Sequence, residues 1–178
     1  MEILKKLNFK RRLSIKKYEE IINLKTILDA RSKDFSNLLD NLSILNGDME
    51  WLKDRSYDLH NKIKIAIEKD NISLAKRGLN KKFSFDLEIK ALEKKINKLD
   101  NCKSKIQNLL KNLEEEYDNI VLNYENKLNS KTLLCIKNFS KIEKNLRKEL
   151  IITENFITNT EYEDEVININ EELKKYLN

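Results

Sequence analysis

From Ile21 to Ala66 the chain returns an apolar residue at alternating steps of three and four. The positions are Ile21, Leu24, Leu28, Arg31, Phe35, Leu38, Leu42, Leu45, Met49, Leu52, Ser56, Leu59, Ile63 and Ala66, and twelve of the fourteen are apolar. A spacing held this long is the seam of a coiled coil, where each apolar side chain meets a partner helix. It ends at Glu68-Lys69-Asp70-Asn71, and Asp and Asn favour turns and helix N-caps. A second seam follows through Phe85, Ile89, Leu92, Ile96, Leu99, Lys103, Ile106, Leu110, Leu113, Tyr117, Ile120 and Tyr124, with eleven of twelve apolar. Leu74, Ala75 and Leu79 carry an apolar stripe upstream of it, out of phase with Phe85.

Two long seams on either side of one short turn make antiparallel neighbours. Each arm spans roughly 45 residues, or about 70 Å at about 1.5 Å per residue. Composition agrees with so few turns: the 178 residues include no Pro and only two Gly, Gly47 and Gly78. Charged residues at 37% and aromatics at 7% suit helices buried along one seam better than a thick core. The fold expected is all-α, an antiparallel coiled-coil hairpin over 18–130 with its tip near 69–71.

Beyond the hairpin, Leu133, Leu134, Ile136, Phe139, Ile142, Leu146, Leu150 and Phe156 mark a third helix, and Thr158–Thr160 reads as a loop. A short terminal helix over 163–177 places Val166, Ile169, Leu173 and Leu177 on one face. Glu161, Glu163, Asp164 and Glu165 stand at its start, while Lys174 and Lys175 stand near its end, as the helix dipole favours. So short a helix is unstable alone. Its apolar face needs a partner, and another subunit could supply it.

Charge is unevenly spread. Residues 1–17 hold seven basic residues against Glu2, a net +6, and residues 149–178 hold eight acids against two lysines, a net −6. Ile3, Leu4 and Leu7 share a helical face, with Lys5, Lys6, Lys10, Arg11 and Arg12 around them. Basic residues beside an apolar face suit an anionic bilayer surface. The same charges could neutralise nucleic-acid phosphates, but no base-reading module accompanies them, so nucleic acid is not the partner expected.

An enzyme is not expected, and neither is a cofactor or a metal. No Gly-rich phosphate loop exists, and His60, the one histidine, reads as an outward-facing coiled-coil residue. Cys102 and Cys135 are 33 residues apart, with no second metal-spaced ligand, which points to a reduced cytosolic setting. Glu114-Glu115-Glu116 reads as the outside of a coiled coil and Trp51 as packing. Symmetric folding about Asp70 sets the seam residue Arg31 opposite Leu109 and Leu110, so Arg31 and Lys103 are expected to snorkel outward along their stems.

The stretch Ile65–Ile96 resembles phage-shock protein A (PspA) and the vesicle-inducing protein in plastids, a family related to the ESCRT-III superfamily. Ile65-Ala66, the turn at Lys69–Asn71, Leu74-Ala75 with Leu79, and Leu92-Glu93 occur in the family's order. Phe139, Ile142 and Glu143 resemble its Phe-x-x-hydrophobic-Glu motif, and the ending from Glu165 to Leu173-Lys174 resembles its terminal acidic helix. The resemblance implies an ESCRT-III-like fold and a homo-oligomer that forms rings or filaments on anionic membranes and maintains or remodels them under stress. It also implies a peripheral position on the inner face of the cell membrane, and some members restrain a transcription activator. On this reading Ile3, Leu4, Lys5, Lys6, Leu7, Lys10, Arg11 and Arg12 contact the membrane, and Val166, Ile169, Leu173 and Leu177 clasp a neighbouring hairpin. The rival reading is a soluble coiled-coil adaptor or stalk, for example of a secretion apparatus.

Overall fold

The computed structural model describes residues 2–126, 128–159 and 168–177, with side chains from Ile15 onward. It holds four helices, α1 (Glu2–Glu68), α2 (Ile72–Glu125), α3 (Asn129–Thr158) and α4 (Ile169–Leu177), and no strand among the described residues. The chain divides into two compact units. One joins Met1–Leu38 to Cys102–Glu154, and the other joins Leu39–Asn101 to Asn155–Asn178.

In the first unit α1, α2 and α3 pack together. Leu24, Leu28 and Leu38 of α1 are buried with Ile106, Leu110, Leu113 and Ile120 of α2, as the two seams predict. Near the end of α2, Tyr124 donates a short hydrogen bond to Glu20, and Lys25 lies 5.6 Å above the Tyr117 ring, so the two helices run antiparallel. Helix α3 buries Thr132, Phe139, Leu146 and Thr153. That seven-residue period turns one narrow stripe inward. The buried threonine hydroxyls bond back to their own helix, Thr132 to the Leu128 carbonyl at 3.0 Å and Thr153 to that of Glu149 at 2.7 Å, so neither is left without an acceptor.

The third helix also decides the fate of Arg31. Its Nε and Nη2 both reach Glu143 Oε1, at 2.9 and 2.8 Å, and its Nη1 pairs with Asp34 at 2.7 Å. The outward snorkelling expected of Arg31 is therefore wrong. The acid comes from α3, which a two-helix folding about the tip leaves out. Burial lowers the Arg31 pKa, but the bonds to Glu143 and Asp34 outweigh it and the net shift is upward. A charge in an apolar seam whose cross-helix partner is Glu143 of α3 favours one register, since a one-turn slip would leave it only Asp34 of its own helix. Glu116, expected outside, is half-buried and accepts from Asn138 at 3.1 Å.

In the second unit Leu42, Leu52, Ile63 and Ala66 of α1 meet Ala75, Leu79, Ile96 and Leu99 of α2. Ser56, the other polar residue in the first seam, donates to Asp86 Oδ1 at 2.6 Å, while Lys82 holds the other carboxylate oxygen at 2.5 Å. Trp51 packs edge-on against Phe85 with ring centroids 6.3 Å apart, and Arg55 lies over its face. The end of α3 belongs to this unit: Lys95 donates to the Ile157 carbonyl at 2.5 Å, and Lys98 lies above the Phe156 ring.

Candidate functional site: the hairpin tip and the terminal helix

The turn between α1 and α2 is three residues long. Asp70 takes a positive φ of 53°, a left-handed conformation that Asp and Asn tolerate better than most residues. Asn71 then caps α2, its Oδ1 accepting from the Leu74 amide at 3.1 Å. Next to this turn both helices carry small residues. Ala75 is fully buried and Ala66 nearly so. A Cβ on Gly78 would stand 2.7 Å from Ile63 Cγ1, so the glycine there leaves room for the Ile63 side chain.

Helix α4 sits on this tip. Asn168 caps it, its side chain and carbonyl accepting from the amides of residues 170–172. Glu171 and Glu172 fill the first turn and Lys174 and Lys175 the last, each where the dipole favours it. Leu173 is buried in one cluster with Ile63, Ala66, Ala75 and Leu79, and Ile67, Ile72, Ile169 and Tyr176 pack around it. Leu177 is 56% exposed. Val166 lies outside the described residues. Three residues of the expected clasp are thus placed, and in the single chain Leu173 and Ile169 rest on the chain's own tip.

One polar contact accompanies the leucine. His60 Nδ1 and the Tyr176 hydroxyl are 2.6 Å apart, with ring centroids 5.1 Å apart. His60 therefore does not face outward, as the sequence reading holds; it is half-buried under α4. Burial, then Lys64 and Lys82, hold its pKa below the ordinary 6.5, and burial raises that of Tyr176. The neutral imidazole is the form that α4 covers.

The basic N-terminal segment lies in α1, which is helical from Glu2. The side chains of Ile3, Leu4, Lys5, Lys6, Leu7, Lys10, Arg11 and Arg12 lie outside the described ones. Among the described residues no cluster of three or more His, Cys, Asp or Glu gathers as a metal site, and no helix is long and apolar enough to cross a membrane. Burial, with Glu116 beside it, raises the Cys135 pKa, the opposite of what an activated thiol needs. Comparison of the chain with known protein families, curated proteins and solved structures finds no match.

The arrangement is a docking site for a helix. A nine-residue helix is too short to persist in water alone, so α4 is helical where a tip receives it. Sequence reasoning placed Leu173 on the apolar face of this helix, facing another subunit, and missed the contact of His60 with Tyr176. The available signal was the tyrosine one turn from Leu173, on the helix's apolar side.

Proposed function

We propose that this protein is a peripheral scaffold that assembles with copies of itself on anionic membrane surfaces, as its resemblance to phage-shock protein A implies. The observation that supports this reading best is the seat of α4. A separate short helix rests on a tip through one leucine, a few flanking apolar side chains and one hydrogen bond. Every copy presents the same tip, so α4 can leave its own and occupy a neighbour's with the same contacts. Exchange of an identical element is a low-cost route to assembly. The basic residues 1–17 supply the attraction to anionic lipid, and the paired helices of the second unit present the tip.

The test is removal of residues 160–178. The truncated protein keeps its helical circular dichroism, and the rings or rods formed by the full chain on anionic vesicles disappear in negative stain. Small particles from the full chain with or without lipid would support the soluble adaptor instead.

A further inference from the structure

Helix α3 carries a second feature with no place in the clasp. Lys137, Lys141, Lys144 and Lys148 are all exposed. Their steps of four, three and four put them on one helical face, and they span about 16 Å along the axis. This face lies roughly opposite the buried stripe of Thr132, Phe139, Leu146 and Thr153, because about 100° per residue separates neighbours on the helix. The packing of that stripe therefore turns the lysines out of the unit. The acids of α3, Glu143, Glu149 and Glu154, fall nearer the buried side, and Glu143 is engaged with Arg31. At the three- and four-residue spacings, each of these lysines meets only Lys, Arg, Ser, Asn, Leu or Ile. Like charges at these spacings are unfavourable to the helix, and an anionic surface relieves them.

The same face is apolar at both ends. Leu133 and Leu134 are 62% and 61% exposed just before the lysines, and Ile151 is 51% exposed just after. A polyanion such as duplex DNA has no use for bare leucines beside its phosphates. A bilayer surface has, since cationic groups meet the headgroups while aliphatic side chains enter the interface. From this pattern we infer that the outer face of α3, from Leu133 to Ile151, is a membrane-contact surface for anionic lipid, separate from the basic segment at residues 1–17. It rests on the proposed membrane role and adds a contact from the folded body of the first unit. The membrane is then touched in two places, by the start of α1 and by the side of α3.

The experiment is co-sedimentation of the full chain with vesicles of phosphatidylcholine alone or mixed with phosphatidylglycerol, and in parallel its binding to duplex DNA. Three variants are compared: Lys137→Gln/Lys141→Gln/Lys144→Gln/Lys148→Gln, Leu133→Ser/Leu134→Ser, and a chain lacking residues 2–12. Because the glutamines remove like-charge pairs, the quadruple variant keeps or gains helicity, and circular dichroism checks this. Each lysine near an anionic surface contributes about 1 kcal/mol, or roughly five-fold, so the quadruple variant loses roughly several hundred-fold in partition to anionic vesicles when the four contributions add. The serine variant loses binding that persists at high salt. An intact fold with unchanged vesicle binding in the quadruple variant, alongside loss in the chain lacking residues 2–12, overturns the inference and leaves the proposed function standing. No binding of the full chain to anionic vesicles overturns both. Tighter binding to duplex DNA than to vesicles, indifferent to the serine variant, makes the stripe a nucleic-acid contact and overturns the lipid assignment.

Discussion

Helices α3 and α4 both pack on the paired long helices, and they are held in different ways. Helix α3 has 30 residues and buries four side chains at a seven-residue repeat, with Glu143 gripping Arg31. Helix α4 has nine residues and one buried side chain, Leu173. The first is built into the core of its unit. The second is a ligand carried on the same chain, helical because it is docked. Length and the number of buried anchors separate an element built into its unit from one docked on it.

The largest effect that tests this contrast is in α3. Phe139 is 1% exposed, and Phe139→Ala should cost about 3–5 kcal/mol of unfolding free energy, read as a lowered urea midpoint. Leu173→Ala should instead release α4: amide hydrogen exchange accelerates across Ile169–Leu177 while the urea midpoint moves much less. Equal midpoint shifts would show that α4 belongs to the same cooperative unit, and the distinction would break.

The two glycines give a smaller, paired effect. Both lie in the second unit, but Gly47 has open space around the position of a Cβ, whereas Gly78 has Ile63 at 2.7 Å. Gly47→Ala should stabilise by about 0.5–1 kcal/mol through helix propensity. Gly78→Ala should destabilise by about 1–2 kcal/mol, because the overpacking against a β-branched residue exceeds that gain. It should also loosen α4, since Ile63 lines the seat of Leu173. Thermal melts of the two variants give the signs, and both rising together would remove the crowding of Gly78 by Ile63 from the account.

The smallest effect is acid sensitivity. Burial first, then Lys64 and Lys82, lower the His60 pKa; the lysines stay when α4 leaves, so only the burial that α4 supplies makes the docked state bind fewer protons than the undocked one. Its contribution is present above the ordinary value of about 6.5 and is lost as the pH falls through that value toward the depressed one. Lys64 and Lys82 oppose the imidazolium, while Asp86 and Glu172 stand near the Tyr176 side of the contact. Exchange in α4 should therefore quicken on acidification across this window, and His60→Gln should flatten the profile. A profile unchanged by that substitution would remove His60 from the latch.

The seams and the turn were legible because each is local. Heptad spacing identified Leu24, Leu28, Ile63, Ile106 and Leu113 as core, and Asp70-Asn71 announced the turn through its own chemistry. Arg31 was misread because its acid, 112 residues away, lies on a third helix whose angular setting no repeat encodes. The same holds for His60, whose partner lies 116 residues away. The α3 lysines were not singled out in the sequence, because a run of lysines has no outward sense until Phe139 and Leu146 are seen buried on the opposite face.

The order of synthesis gives the tip another consequence. Ile63, Ala66, Ala75 and Leu79 are made roughly a hundred residues before Leu173. At about 5–20 residues per second, the tip of a nascent chain waits about 5–20 s for its own helix. Chains translated side by side on one messenger hold bare tips within reach of finished neighbours throughout that interval. If α4 exchanges between copies as proposed, synthesis in bursts would favour pairing between chains and slow synthesis would favour self-closure.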